Sequence, residues 1–224
     1  MNTKRLWFRA VIVAAALASA GVASAAVVTY NNRATWTAAV PAVGFTVDFE
    51  SFSSDTSFAS VPLNLGPFTL STVGTAAGGT NMVQVGLSGY PSSFGNAEAM
   101  IFVQDPLAAD LTFATPTSGF FADFLYAGNG QQLDLTLSFE GGGTADVLVP
   151  GIGDSLVPFG FVSTSNAITA IRFNNSANDG FYIDNVSGAT QASQVPEPAS
   201  LALVGIAFAV LGFFYRRSGL GQSS

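Results

Sequence analysis

Leu133-Asp134-Leu135-Thr136-Leu137-Ser138-Phe139 is the stretch that decides the fold. Large apolar residues alternate with polar ones over all seven positions. Successive side chains of a β-strand point to opposite faces, so this segment reads as a strand with one face buried and one wet. Gly141-Gly142-Gly143 follows directly, and Asp146 to Val149 alternates again. Phe45-Thr46-Val47-Asp48-Phe49-Glu50 and Ile168 to Phe173 keep the same period of two. Between these runs stand turn-forming stretches: Gly74 to Asn81, Ser88 to Asn96 and Gly128-Asn129-Gly130. Prolines at Pro62, Pro67, Pro91, Pro106, Pro116, Pro150 and Pro158 punctuate the strand edges. Ala34 to Val40 alone reads as a short helix. Many short strands with a turn signal about every ten residues predict an all-β fold, an antiparallel β-sandwich or jelly roll.

The ends of the chain follow different rules. Lys4, Arg5 and Arg9 precede the apolar run Ala10 to Ala20, and Ala23-Ser24-Ala25 has the small-x-small spacing of a cleavage site. That is the pattern of a signal peptide, with the mature chain starting at Ala26. At the other end, Ala199 to Tyr215 carries no charge and is rich in Leu, Ala, Val and Phe. At about 1.5 Å per residue such a helix just crosses the hydrocarbon core of a membrane. Arg216 and Arg217 follow it, on the side that must stay inside if the domain is exported. The expected organisation is a signal peptide over 1–25, a β-sandwich over 26–188, a linker over 189–195, an anchor segment over 196–218 and a tail over 219–224. The polar run from Ser187 to Gln194 itself reads as a short linker to the anchor.

Composition limits the chemistry. The chain has no Cys and no His, which removes disulfides, thiol nucleophiles and imidazole bases. Between Ala26 and Gln194 the basic residues are Arg33 and Arg172, while all but Glu197 of the 14 acidic residues lie there. So acidic a surface repels nucleic-acid phosphates and is compatible with cations and neutral polymers. It also keeps a Phe-rich β-protein soluble.

Pro196-Glu197-Pro198, the apolar span after it and the arginines Arg216 and Arg217 occur in that order at the C-terminus. Together they resemble the PEP-CTERM sorting tag of Gram-negative bacteria. The resemblance covers residues 195 to 217 or so and implies a partner, the membrane enzyme exosortase, which recognises the tag. It implies a chain held at the inner membrane by its C-terminal helix, then processed and passed to the cell surface or the exopolysaccharide matrix.

A second resemblance lies in Phe159-Gly160-Phe161-Val162, Ile168 to Phe173 and Gly180-Phe181-Tyr182-Ile183-Asp184-Asn185-Val186. These segments are similar to the last strands of β-sandwich domains joined to such tags and of carbohydrate-binding jelly rolls. The resemblance implies a structural Ca²⁺ shared by Glu50 and Asp184, with Asp48 beside them, since Ca²⁺ takes carboxylate and carbonyl oxygens. The alternative reading of Asp184-Asn185 is a strand-end cap.

Two functional classes remain. The first is a non-enzymatic surface or matrix protein that binds extracellular polysaccharide or acts in adhesion. The second is a glycan-acting hydrolase using a carboxylate pair. Asp48 and Glu50, two apart on an expected strand, share a face, and Asp123, Asp134 and Asp146 sit in or beside strands. No motif singles out an acid and a nucleophile among them, and alternation alone turns such residues outward. For sugar stacking the candidates are Trp36, expected at the sandwich edge, and Tyr30, Tyr90, Tyr126 and Tyr182, with Tyr90-Pro91 the best placed for exposure.

Overall fold

The structure is a computed structural model that describes residues 26–74, 81–86, 99–103, 108–126, 133–151, 156–174 and 180–191. Among these, the strands in chain order are β1 (Val27–Tyr30), β2 (Val43–Val47), β3 (Thr56–Ser57), β4 (Leu63–Asn64), β5 (Phe68–Val73), β6 (Met82–Val85) and β7 (Ala99–Val103). They continue as β8 (Ala108–Thr117), β9 (Gly119–Tyr126), β10 (Leu133–Phe139), β11 (Thr144–Val149), β12 (Val157–Ser163), β13 (Ile168–Asn174) and β14 (Phe181–Ala189). One helix, α1 (Arg33–Ala39), follows β1.

Every strand pairing is antiparallel. An eight-stranded sheet runs β1-β12-β9-β14-β7-β6-β3, with β2 also paired to β14. A six-stranded sheet runs β11-β10-β13-β8-β5-β4. The alternation of 133–139 works as expected: Leu133, Leu135, Leu137 and Phe139 enter the core, while Asp134, Thr136 and Ser138 face out. All three glycines after β10 have φ between 81° and 95°, a region closed to most side chains, which lets the chain reverse there into β11.

One core fills the space between the sheets. Phe120, Phe124, Phe159, Phe161, Phe173 and Phe181 pack there, with Phe120 stacked on Phe161 at 5.4 Å. A smaller cluster lies on the other side of the eight-stranded sheet: Trp36, Val40, Phe121 and Ala189, with Tyr30 and Val162 against them. There α1 covers the sheet and buries Trp36 completely. Asn32 caps the helix, its side-chain oxygen accepting from the N–H groups of Ala34 and Thr35 at 2.9 and 3.2 Å.

The helix expected over 34–40 is present one residue earlier. The strand expected over 45–50 stops at Val47. Phe49 adopts φ 60° and buries its ring, and the Glu50 N–H turns back to Asp48 Oδ1 at 3.2 Å. Asp48 and Glu50 therefore do not share a strand face. Trp36 lies under the helix over a sheet face rather than at the sandwich edge. Asp184-Asn185 sits inside β14, which runs on to Ala189 and takes the first residue of the expected linker.

The described residues up to Thr190 belong to one compact unit. The expected signal peptide, and the anchor segment with its apolar helix, lie outside the described residues. Among the described residues no helix is long and apolar enough to cross a membrane.

Gly160 on β12 pairs with Phe121 on β9 and with Tyr30 on β1. A Cβ there would meet the Phe121 ring and the Phe120 carbonyl. Gly160→Ala must displace the Phe121 ring and crowd the Phe120 carbonyl, so it should cost about 1–3 kcal/mol. The urea midpoint, followed by tryptophan fluorescence, checks this.

Candidate functional site

Arg33 opens α1 and reaches across two strands of the sheet beneath. Its guanidinium lies 4.5 Å from the centroid of the Phe121 ring. Nη1 donates to Ser187 Oγ at 2.8 Å, and Nη2 donates to the Asn185 carbonyl at 2.9 Å and to Asp123 Oδ2 at 3.4 Å. Ser187 Oγ in turn shares a hydrogen bond with Thr46 Oγ1 on β2 at 3.0 Å. One cation thus joins α1 to β9 and β14, and through Ser187 to β2. Its planar fork suits this many acceptors, and its flat face suits the ring below.

The strand beneath departs from regular geometry. Asn185 has φ 51°, and the β14–β9 register shifts between Asp184 and Ser187. Asn and Asp tolerate this left-handed conformation because their side chains bond locally. Here the Asn185 N–H donates to Asp184 Oδ1 at 2.6 Å, and its amide donates to Asp184 Oδ2 at 3.0 Å and to Asp123 Oδ2 at 3.1 Å. Asp184 and Asp123 are direct partners across the two strands. Like charges so placed repel, and the Asn185 amide between them, with Arg33 on Asp123, supplies the donors that offset this.

The sequence reading marked Glu50 and Asp48 as companions of Asp184. β2, which ends one residue before Asp48, pairs with β14 through Val47 and Val186. The structure leaves Asp48 and Glu50 exposed and Asp184 buried. No group of three or more acidic side chains that could hold a metal ion occurs among the described residues. Arg33 and Asn185 were missed as parts of a site. The usable signal was composition, because Arg33 is one of two basic residues between Ala26 and Gln194.

The remaining carboxylates of the hydrolase reading are dispersed. Asp134 and Asp146 lie exposed on the outer face of the six-stranded sheet, while Asp123 belongs to the other sheet. Of the aromatic candidates, Trp36 is buried with Nε1 donating to the Phe161 carbonyl at 3.2 Å. Tyr182 is buried with its hydroxyl donating to Gln84 Oε1 at 3.3 Å, and Tyr30 packs beside Trp36. Tyr90 and the Tyr126 side chain lie outside the described residues, as do Pro196, Glu197, Pro198, Arg216 and Arg217.

Comparison with known proteins bears on the C-terminus first. Residues 194–218 match the PEP-CTERM protein-sorting motif, so the chain carries that motif. No curated protein matches the chain. Among solved structures, a mutant family 29 carbohydrate-binding module complexed with mannohexaose is 14% identical, with 61% of this chain and 92% of that one covered and a TM-score of 0.38. TmCBM61 in complex with β-1,4-galactotriose is 16% identical, with 60% and 99% covered and a TM-score of 0.38. The enzymatically active domain of bacteriophage CBA120 tailspike protein 4 is 20% identical, with 56% and 20% covered and a TM-score of 0.35. Likenesses this loose carry neither ligand nor activity to this chain.

Arg33→Ala should strip Asp123 and Ser187 of a donor and loosen the helix. The expected loss is about 1.5–3 kcal/mol, the range for hydrogen bonds to charged groups. Arg33→Lys, a point charge without the fork, should recover only part of it. Urea unfolding of the three proteins measures both effects.

Proposed function

We propose that this chain is an exported protein, handed by exosortase from the inner membrane to the cell surface or extracellular matrix, where its β-sandwich binds polysaccharide without performing catalysis. The observation that carries the reading is the sorting motif at residues 194–218. An acidic, disulfide-free sandwich whose adjoining carboxylates, Asp123 and Asp184, are tied up by Asn185 and Arg33 supports binding over hydrolysis, because a glycosidase needs two carboxyl groups facing one scissile bond. Adhesion between cells and matrix would follow from the same binding.

The test has two arms. Replacing Pro196 and Pro198 by alanine should leave the protein in the membrane fraction of the producing cell, where the unaltered chain reaches the surface. The full-length chain, held in detergent, should co-sediment with the insoluble matrix polysaccharide of that cell. Surface delivery without the prolines, or failure to co-sediment, contradicts the corresponding half.

Calcium belongs to the same proposal, on Glu50 and Asp184 with Asp48 beside them, because Asp48 directly follows β2, which pairs with β14 up to Val47 and Val186. Bound Ca²⁺ would stabilise the native state by mass action. The melting temperature should then rise with added Ca²⁺ and fall with chelator, and Asp184→Ala should abolish the response. A melt indifferent to calcium removes the ion from the account.

A further inference from the structure

The two outer faces of the sandwich differ. On the eight-stranded sheet, α1 covers β12, β9 and β14 with Trp36 and Arg33. On the six-stranded sheet no helix covers the outer face among the described residues, and its polar side chains stand in register. Thr136 is the partner of Asp146 on one side and of Arg172 on the other, Arg172 pairs with Asp110, and Asp110 with Ser71. This makes one straight row across five strands. A second row runs Thr144, Ser138, Ala170, Thr112, Thr69 and Asn64.

Hydrogen bonds within the first row fix its side chains. Thr136 Oγ1 donates to Asp146 Oδ1 at 2.8 Å and accepts from Asn174 Nδ2 at 2.9 Å. Arg172 donates to both oxygens of Asp110, from Nε at 2.8 Å and Nη2 at 2.9 Å. Asp110, by this hydrogen bond first and by its charge second, raises the Arg172 pKa further above its already high value. Fixed polar groups lose little freedom when a ligand arrives.

We propose that this face is where an extended, neutral polysaccharide lies, its chain running across the strands along the two rows. The inference rests on the polysaccharide reading above and adds the surface and the charge class. Strands in a sheet are spaced about 4.8 Å apart. Each row therefore offers a side chain at a spacing close to the advance per sugar of an extended β-linked glycan. Hydroxyls, carboxylate oxygens and amides match a polymer whose groups both donate and accept. Charge then selects the class. The cation of the row is engaged by Asp110, and Asp134 and Asp146 remain as negative charges, so a uronic-acid polymer meets repulsion with no free cation in the row to offset it. No aromatic ring stands in either row, so recognition is by hydrogen bonds rather than stacking.

The test is affinity electrophoresis of the full-length chain in detergent, through gels containing hydroxyethylcellulose, alginate or glycol chitosan. The neutral polymer should slow the protein and alginate should not. The double variant Thr136→Ala, Arg172→Ala removes the centre of the row and should weaken retardation about fivefold or more, since it deletes donors and acceptors that a sugar would meet there. Thr112→Met fills the second row without touching the bonded network and should weaken it too. Thr35→Ala on α1 should have no effect, and melting curves should show all variants folded. Retardation of both face variants equal to that of the unaltered chain overturns the assignment of the face while leaving polysaccharide binding intact. Equal retardation by alginate, or a stronger, salt-sensitive retardation by glycol chitosan, overturns the neutral class. Retardation by none of the three polymers overturns this inference even if the chain co-sediments with its own matrix.

Discussion

Strand β14 changes partners at Asn185, and most of the architecture depends on that change. Up to Ile183 one edge of the strand pairs with β7; from Val186 the same edge pairs with β2. The other edge pairs with β9 on both sides of the irregularity. Between those two stretches β14 carries one extra residue against β9, since Asp184 faces Asp123 but Ser187 faces Phe121, and such a bulge bends the strand. Asn185 lies in the bulge, and its side chain, the Asp184 carboxylate and Arg33 satisfy the polar groups the bulge exposes. The last strand of the domain thereby lies at the centre of its sheet. Helix α1 depends on the same arrangement, because Arg33 is held by Ser187 and the Asn185 carbonyl while Trp36 rests on Phe121.

The readable parts of the fold were those with one wet face. Strands β10, β11 and β13 alternate because the outer face of their sheet meets water, and period two is the imprint of that difference. Strand β14 carries no such imprint. The helix covers part of its outer side, and eight of its nine residues are buried. Ser187 and Gly188 looked like the start of a linker because small polar residues are usual in linkers. Here they are small because Arg33 and the Phe45 ring fill the space above them. The end of β2 was hidden for a different reason. Phe49 keeps the hydrophobic beat of the strand while its backbone leaves the strand region, so the pattern ran on where the structure stops.

The candidate site was legible only in fragments. Asp184 and the neighbourhood of the first long strand were marked from resemblance, and their strands do adjoin. The two side chains that bond to Asp123 lie 90 and 62 residues from it along the chain, separations no local pattern registers. The scarcity of basic residues was the better guide. Both arginines of the domain are engaged by acidic residues, Arg33 with Asp123 and Arg172 with Asp110. Among the described residues the domain therefore presents carboxylates and hydroxyls rather than free cations.

Export and sorting stand on the motif at residues 194–218. The intact mass of the protein recovered from the surface of the producing cell tests this most directly. The account predicts a chain that begins at Ala26 and has lost the apolar segment from Ala199 to Arg217. A surface protein whose mass extends through Ser224 would contradict it.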